Sequence, residues 1–161
     1  MALLCTGILY SCSDLKNHYE VTDTVNRFFK ALNKHDTILI AKFFADTAKL
    51  ESPNWEGYKV GPSGAKEVYG KYFTSSPDVK YDIKEVTIGP GAAVVEYVVT
   101  GTLKNAETGT PAYMIGKKYS LKNITRFNLH EGKILAESSY FDQVAYLKQM
   151  GFFEQHYPLH E

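Results

Sequence analysis

The carboxylate best placed for chemistry is Asp142, in the stretch "SSYFDQVAYLKQMG" from Ser138 to Gly151, where an aromatic-flanked strand passes into a short helix-like run. An apolar pocket that desolvates a carboxyl raises its pKa and lets it exchange protons near neutral pH with a carbon next to a carbonyl. Tyrosine hydroxyls are suited to hold the enolate oxygen that develops. Asp142 also directly precedes "QVAYLKQMG", so a second role is open to it as the N-cap of that helix. There it would accept hydrogen bonds from the backbone N–H of Val144 or Ala145, worth about 1 kcal/mol. The positive end of a helix favours the ionised form of a cap carboxylate and makes it a poorer base. Both roles hold together only if one oxygen caps while the other faces a cavity. Tyr140, two residues back, shares the face of Asp142 by strand alternation.

Other common chemistries find little support. Five histidines, His18, His35, His130, His156 and His160, are scattered over tails and turns. His156 and His160 have metal-like spacing, but Pro158 between them breaks helical presentation and no Cys or carboxylate pair accompanies them, so no metal is expected. There is no GxSxG elbow, and Ser138 and Ser139 have no histidine beside them in sequence. Gly61-Pro62-Ser63-Gly64 lacks the Gly-Lys-Ser/Thr ending of a phosphate loop and reads as a helix start. Asn123-Ile124-Thr125 fits a glycosylation sequon but falls inside a strand pattern. Aromatic and polar candidates for a cavity wall are Trp55, Tyr58, Tyr69, Phe73, Tyr97, Tyr113, Asn123 and Tyr140. Roughly half are expected to line a pocket, since cavities draw on the same residue types as cores and dimer faces. Asn123 stands out because an inward amide needs a partner, which a ligand carbonyl would supply.

These residues have to be positioned by a chain of 161 residues, the length of one domain with a core of its own. Lys plus Arg and Asp plus Glu are 18 each, with no basic stripe, which argues against a nucleic-acid partner. Twelve Tyr and nine Phe suit a cavity with an apolar wall and a hydroxyl rim. Both cysteines, Cys5 and Cys12, lie in the first dozen residues, so the body holds no disulfide framework or thiol nucleophile. No apolar run reaches the ~18 residues of a spanning helix.

Helical spacing of Val21, Val25, Phe28, Phe29 and Leu32 predicts an amphipathic helix over Glu20–Leu32. "TILIAKFFA" predicts a short buried helix capped by Asp36, "TAKLES" a strand, and "GAKEVYGKYF" a third helix with Pro62 in its first turn. Beyond Pro77 the period changes to two. Strands are expected over Val79–Ile88, Ala92–Leu103, Lys117–Leu129 and Lys133–Phe141, with turns at Gly89-Pro90-Gly91 and His130-Glu131-Gly132. Helices first and long strands after predict an α+β fold with a curved antiparallel sheet wrapped over the N-terminal helices.

Four stretches carry a resemblance over roughly Val21 to Phe153: "RFFKALNKHDTILIAKFFADTAKLESP", "GPSGAKEVYGKYFTSSPDVKYDI", "VVTGTLKNAETGTPAYMIGKKYS" and "RFNLHEGKILAESSYFDQVAYLKQMG". Together they resemble the SnoaL-like polyketide cyclases, within the nuclear transport factor 2-like superfamily of cone-shaped α+β domains. That resemblance implies a small apolar or carbonyl-containing ligand, no cofactor, and a homodimer through the open sheet face. It also implies that Asp142 acts as acid/base in an aldol-type cyclisation or proton transfer, with Tyr140, Tyr97 or Asn123 orienting a carbonyl oxygen. The ketosteroid isomerase relatives place a base Asp before a Pro, where Ser52 stands here, and a second acid near Ile124 or Thr125. Steroid-type isomerisation by that route is not expected. Finally, the apolar run ending Leu9-Tyr10-Ser11-Cys12 resembles the lipobox of bacterial lipoproteins. It implies residues 1–19 as a signal and linker, a single domain over 20–161, and lipid on Cys12. On that reading the protein is a lipid-anchored ligand-binding domain of the bacterial envelope, a cytoplasmic protein being the alternative.

Overall fold

The structure, a computed structural model, describes residues 6–105 and 109–156, with side chains from residue 17 onward. Val21, Val25, Phe28, Phe29 and Leu32 lie buried on one face of helix α1 (Thr6–Asn33). Phe28 is the hub of the core: the rings of Phe29, Phe43, Phe44, Tyr69 and Phe127 pack edge-on around it, with centroids 5.5–5.8 Å away. Such a buried aromatic contributes several kcal/mol through area and ring contacts. Because α1 begins well before Glu20, the expected boundary between residues 19 and 20 falls inside a continuous helix. Cys5 lies outside the described residues, and the side chain of Cys12 outside the described side chains.

His35 takes a positive φ of 55° to reverse the chain after α1, and Asp36 then caps α2 (Thr37–Lys42), its Oδ1 accepting from the Leu39 N–H at 2.8 Å. Strand β1 (Phe44–Glu51) and the two-residue β2 (Lys59–Val60) lead to α3 (Gly61–Ser75). Gly61 has φ +64°, and a Cβ there would meet the Asp46 carbonyl oxygen at 2.5 Å, so only glycine opens this helix. Pro62 follows in the first turn, where its missing N–H costs nothing.

The four long strands, β3 (Lys80–Gly89), β4 (Ala92–Thr102), β5 (Lys118–His130) and β6 (Lys133–Phe141), match the sequence reading to within one residue at each end. Between β5 and β6 the turn residues Glu131 and Gly132 both have positive φ, as a two-residue type I′ hairpin requires. The six strands form one curved, unclosed sheet in the order β2-β1-β6-β5-β4-β3. Its strands are not all antiparallel as expected: β1 and β6 run parallel. The chain makes the long crossover a parallel pair demands, through β2, α3 and three strands, before returning beside β1.

Helices α4 (Gln143–Gln149) and α5 (Phe152–His156) follow β6. Gln149 seats α4 on the sheet: its Oε1 accepts from the Ser120 N–H at 2.7 Å and its Nε2 donates to the Ser120 carbonyl at 3.1 Å, so one side-chain amide imitates a neighbouring strand. Leu103, Met114 and the wholly buried Met150 form a second apolar cluster beneath these helices. No described helix is long and apolar enough to cross a membrane.

Candidate functional site

The apolar core ends before it fills the space between the inner face of the sheet and α3, leaving a cavity of about 480 Å³. Period-two alternation supplies its wall: Tyr97 and Val99 from β4, Tyr119, Leu121 and Asn123 from β5, and Glu137, Ser139 and Phe141 from β6. Tyr69 and Tyr72 of α3 face them, the β1–β2 loop adds Ser52, Asn54 and Trp55, and Met114 and Tyr146 approach from the C-terminal side. Among the described residues no Lys, Arg or His lines the cavity, and Glu137 is its one carboxylate.

Glu137 is 6% exposed. Its Oε1 accepts from the Tyr69 hydroxyl at 2.7 Å and from the Ser139 hydroxyl at 3.3 Å, while its Oε2 is buried without a hydrogen-bond partner. Burial pushes this carboxyl up to about 7, against the opposing pull of the two hydroxyl donors. Burial also raises Tyr69, Tyr81 and Tyr97 above the usual phenol range, so these hydroxyls stay neutral. The polar system continues across the sheet: Ser139 bonds to Thr125 at 2.8 Å, and Thr125 to Tyr97 at 2.8 Å. Trp55 brings a second unsatisfied group, its indole Nε1–H, which is buried without a partner.

Of the residues singled out from sequence, Trp55, Tyr69, Tyr97 and Asn123 line this cavity. Asp142 does not. It is exposed, and its Oδ1 caps α4 by accepting from the Ala145 N–H at 3.0 Å. Tyr140 also lies outside, 56% exposed, its hydroxyl donating to Glu51 at 3.4 Å. Tyr58 is exposed on the surface beneath the Lys49 ammonium, 5.1 Å from its ring centroid. Phe73 stacks on His35 at 4.3 Å, and Tyr113 packs with the second apolar cluster.

The alternation was broken by a register shift. Ile134 pairs with Leu129, but Ala136 pairs with Asn128, so one extra residue enters β6. Strict alternation from buried Ile134 would have sent Ala136, Ser138 and Tyr140 inward. The shift instead turns Glu137, Ser139 and Phe141 to the cavity and Tyr140 to solvent. The readable signal for Glu137 was a lone carboxylate inside the apolar strand "KILAESSYF".

The SnoaL-like polyketide cyclase profile matches residues 23–150. Among curated proteins none matches the sequence. Solved structures share the fold. A provisionally assigned polyketide cyclase of Xanthomonas campestris pv. campestris is 22% identical, with TM-score 0.75 over 83% of this chain and 98% of that one. A provisionally assigned SnoaL-like polyketide cyclase of Jannaschia sp. CCS1 is 18% identical, with TM-score 0.73 over 83% and 93%. TerC, co-crystallised with polyporic acid, is 16% identical, with TM-score 0.66 over 81% and 98%. With the profile spanning most of its length, the chain belongs to the SnoaL-like polyketide cyclase family.

Proposed function

We propose that this protein binds a small carbonyl compound in the cavity and moves a proton at the carbon next to the carbonyl, with Glu137 as the acid/base. The observation that carries this reading is a carboxyl, the one such group lining the cavity among the described residues, buried in a ligand-sized space with one oxygen unpaired and an affinity for its proton raised to near neutrality. A wall without cations among the described residues favours a ligand that is not an anion, and its many rings favour one that is flat and largely apolar. In the forward step Glu137 takes the α-proton, and the enolate oxygen accepts a hydrogen bond from the Trp55 Nε1–H. Glu137 then returns the proton to another carbon, completing an isomerisation, or to the alkoxide formed when the enolate carbon attacks a second carbonyl. The acid/base role that the family resemblance lent to Asp142 passes to Glu137, since the Asp142 carboxylate caps α4 in solvent.

Deuterium uptake at the α-carbon, followed by NMR over a panel of β-keto compounds, tests this. The Glu137→Gln variant should exchange at least ~100-fold more slowly than the natural protein; equal rates would sink the assignment.

The outer face of the sheet supports a homodimer as the working form. The lipobox-like Leu9-Tyr10-Ser11-Cys12 supports a second reading, a non-catalytic lipid-anchored binding domain, with lipid on Cys12. Mass spectrometry of membrane-fraction protein decides between them on that point: a mature chain that starts at acylated Cys12 supports the anchor, and an unprocessed N-terminus removes it.

A further inference from the structure

We infer that Glu137, Ser139, Thr125 and Tyr97 form a proton wire with both ends in the cavity wall, which makes Tyr97 a second proton-transfer residue of the site and Thr125 the residue that positions it. This rests on the acid/base reading of Glu137 given above and adds to it the exit for the second proton.

Strand register builds the wire. Thr125 on β5 sits directly opposite Ser139 on β6, Tyr97 on β4 is paired with Asn123, two residues from Thr125 on the same face, and Glu137 precedes Ser139 by two. All four therefore point inward from three adjacent strands. The links are 3.3, 2.8 and 2.8 Å. Thr125 is 1% exposed and does not line the cavity, so its hydroxyl serves its two neighbours and no ligand. Valine would have filled the same space in the core around it, without a hydroxyl to satisfy.

Each hydroxyl has one proton, so the direction of the wire is decided at its carboxyl end. When Glu137 is ionised, Ser139 donates to Oε1; Thr125 must then donate to Ser139, and Tyr97 to Thr125. The Tyr97 proton is committed to the wire. When Glu137 is neutral and the cavity holds no ligand, a proton on Oε2 would be a buried donor with no acceptor, whereas a proton on Oε1 has the Ser139 oxygen within reach while the nearer Tyr69 hydroxyl keeps donating to that same Oε1. Every link then reverses, and the Tyr97 O–H is released toward the cavity.

With a ketone bound, neutral Glu137 can act at both ends of one path. Oε2 takes the proton from the α-carbon, Oε1 passes its own to Ser139, Ser139 to Thr125 and Thr125 to Tyr97. Tyr97 delivers its proton to the carbonyl oxygen. A C–H bond breaks and an O–H bond forms on the ligand, which leaves as its enol. Glu137 ends neutral with its proton on Oε2; after the enol leaves, a half-turn of the carboxyl group that exchanges its two oxygens, with reorientation of the three hydroxyls, resets the wire without gain or loss of a proton. No charge is left in the apolar cavity, where one would be costly.

Among the described residues, the titratable groups that share the cavity with Glu137 are Tyr69 and Tyr72 from α3, Tyr81 from β3, Tyr97 from β4, Tyr119 from β5 and Tyr146 from α4. Since all are phenols, a titration near neutral pH seen at the Tyr97 ring reports Glu137. The test uses the full chain labelled with 13C at tyrosine Cζ, the Tyr97 signal being assigned with Tyr97→Phe. In the natural protein and in Thr125→Ser, the Tyr97 signal should shift with Glu137 protonation. In Thr125→Val, which keeps the shape and deletes the hydroxyl, the amplitude should fall at least threefold. An unchanged amplitude in Thr125→Val, or a flat Tyr97 signal in the natural protein, overturns the wire. Enolisation of 1-phenylbutane-1,3-dione gives the second readout: Thr125→Val should lower kcat about tenfold with little change in KM, and Thr125→Ser should restore it. If Glu137→Gln is inactive while Thr125→Val is unimpaired, the acid/base assignment stands and the wire falls. If the diketone is not turned over at all while the Tyr97 signal still depends on Thr125, the wire stands and the acid/base assignment falls.

Discussion

At the scale of the residue, Glu137 works against the stability of the fold that holds it. Its carboxyl loses its proton at about 7 in the folded chain but at the ordinary 4.5 once exposed. Between those values the folded state holds more protons than the unfolded one, so stability falls as pH rises through the window. At ~1.4 kcal/mol per pH unit the whole loss is on the order of 3 kcal/mol. Glu137→Gln, which stays neutral, should flatten the decline in unfolding free energy between pH 5 and 8 and be the more stable protein at pH 8. Urea titrations across that range check this; a variant that declines as steeply as the natural chain would refute the burial cost assigned to Glu137. The sequence pointed to the strand that lines the cavity, and to a carboxylate just past its end that lies outside the cavity. Asp142 stood out because it begins a legible helix, whereas Glu137 depends on a register shift between β5 and β6 that follows from pairing and not from local pattern.

At the scale of the element, the regular pieces were legible because each is specified locally. Five apolar residues at helical spacing make α1, Asp36 caps α2, Pro62 marks the first turn of α3, and alternation marks four strands. The parallel β1–β6 pair and the strand-like grip of Gln149 on Ser120 were not, since both join segments distant in sequence. The cap on α4 lies between these cases: its hydrogen bond was foreseeable and the direction of its free oxygen was not. Asp142→Ala removes the bond to the Ala145 N–H at a cost of about 1 kcal/mol, with the helix itself still held by Gln149 and by Gln143, whose Nε2 donates to the Pro53 carbonyl at 2.8 Å. Thermal unfolding should therefore shift down by a few degrees. Diketone turnover should be unchanged, and a loss of 100-fold or more would restore Asp142 as the acid/base.

At the scale of the whole molecule, the sheet has one face against α1, α3 and the cavity and another on which, among the described residues, Ile124 and Tyr140 stay exposed. On that outer face Ile124 lies directly opposite Tyr140, and Val94 sits beside Arg126 one pair along. Ile124 and Tyr140 are 44% and 56% exposed, a large apolar surface to leave in water. Glu96, paired with Ile124, and Arg126 put both signs of charge on the same patch. A twofold axis through such a patch sets apolar against apolar and lets opposite charges meet, which one copy alone cannot do. A stable contact of this kind needs about 800 Å² from each copy, within the reach of a four-stranded face. The cavity opens on the other side of the sheet, so breaking the contact should leave ligand binding intact. Ile124→Glu places a carboxylate at the centre of the patch and should convert a dimer to a monomer in sedimentation at tens of micromolar, with diketone binding retained. A natural protein that already sediments as a monomer would remove the homodimer, and a variant that loses both dimer and binding would show that the two faces are not independent.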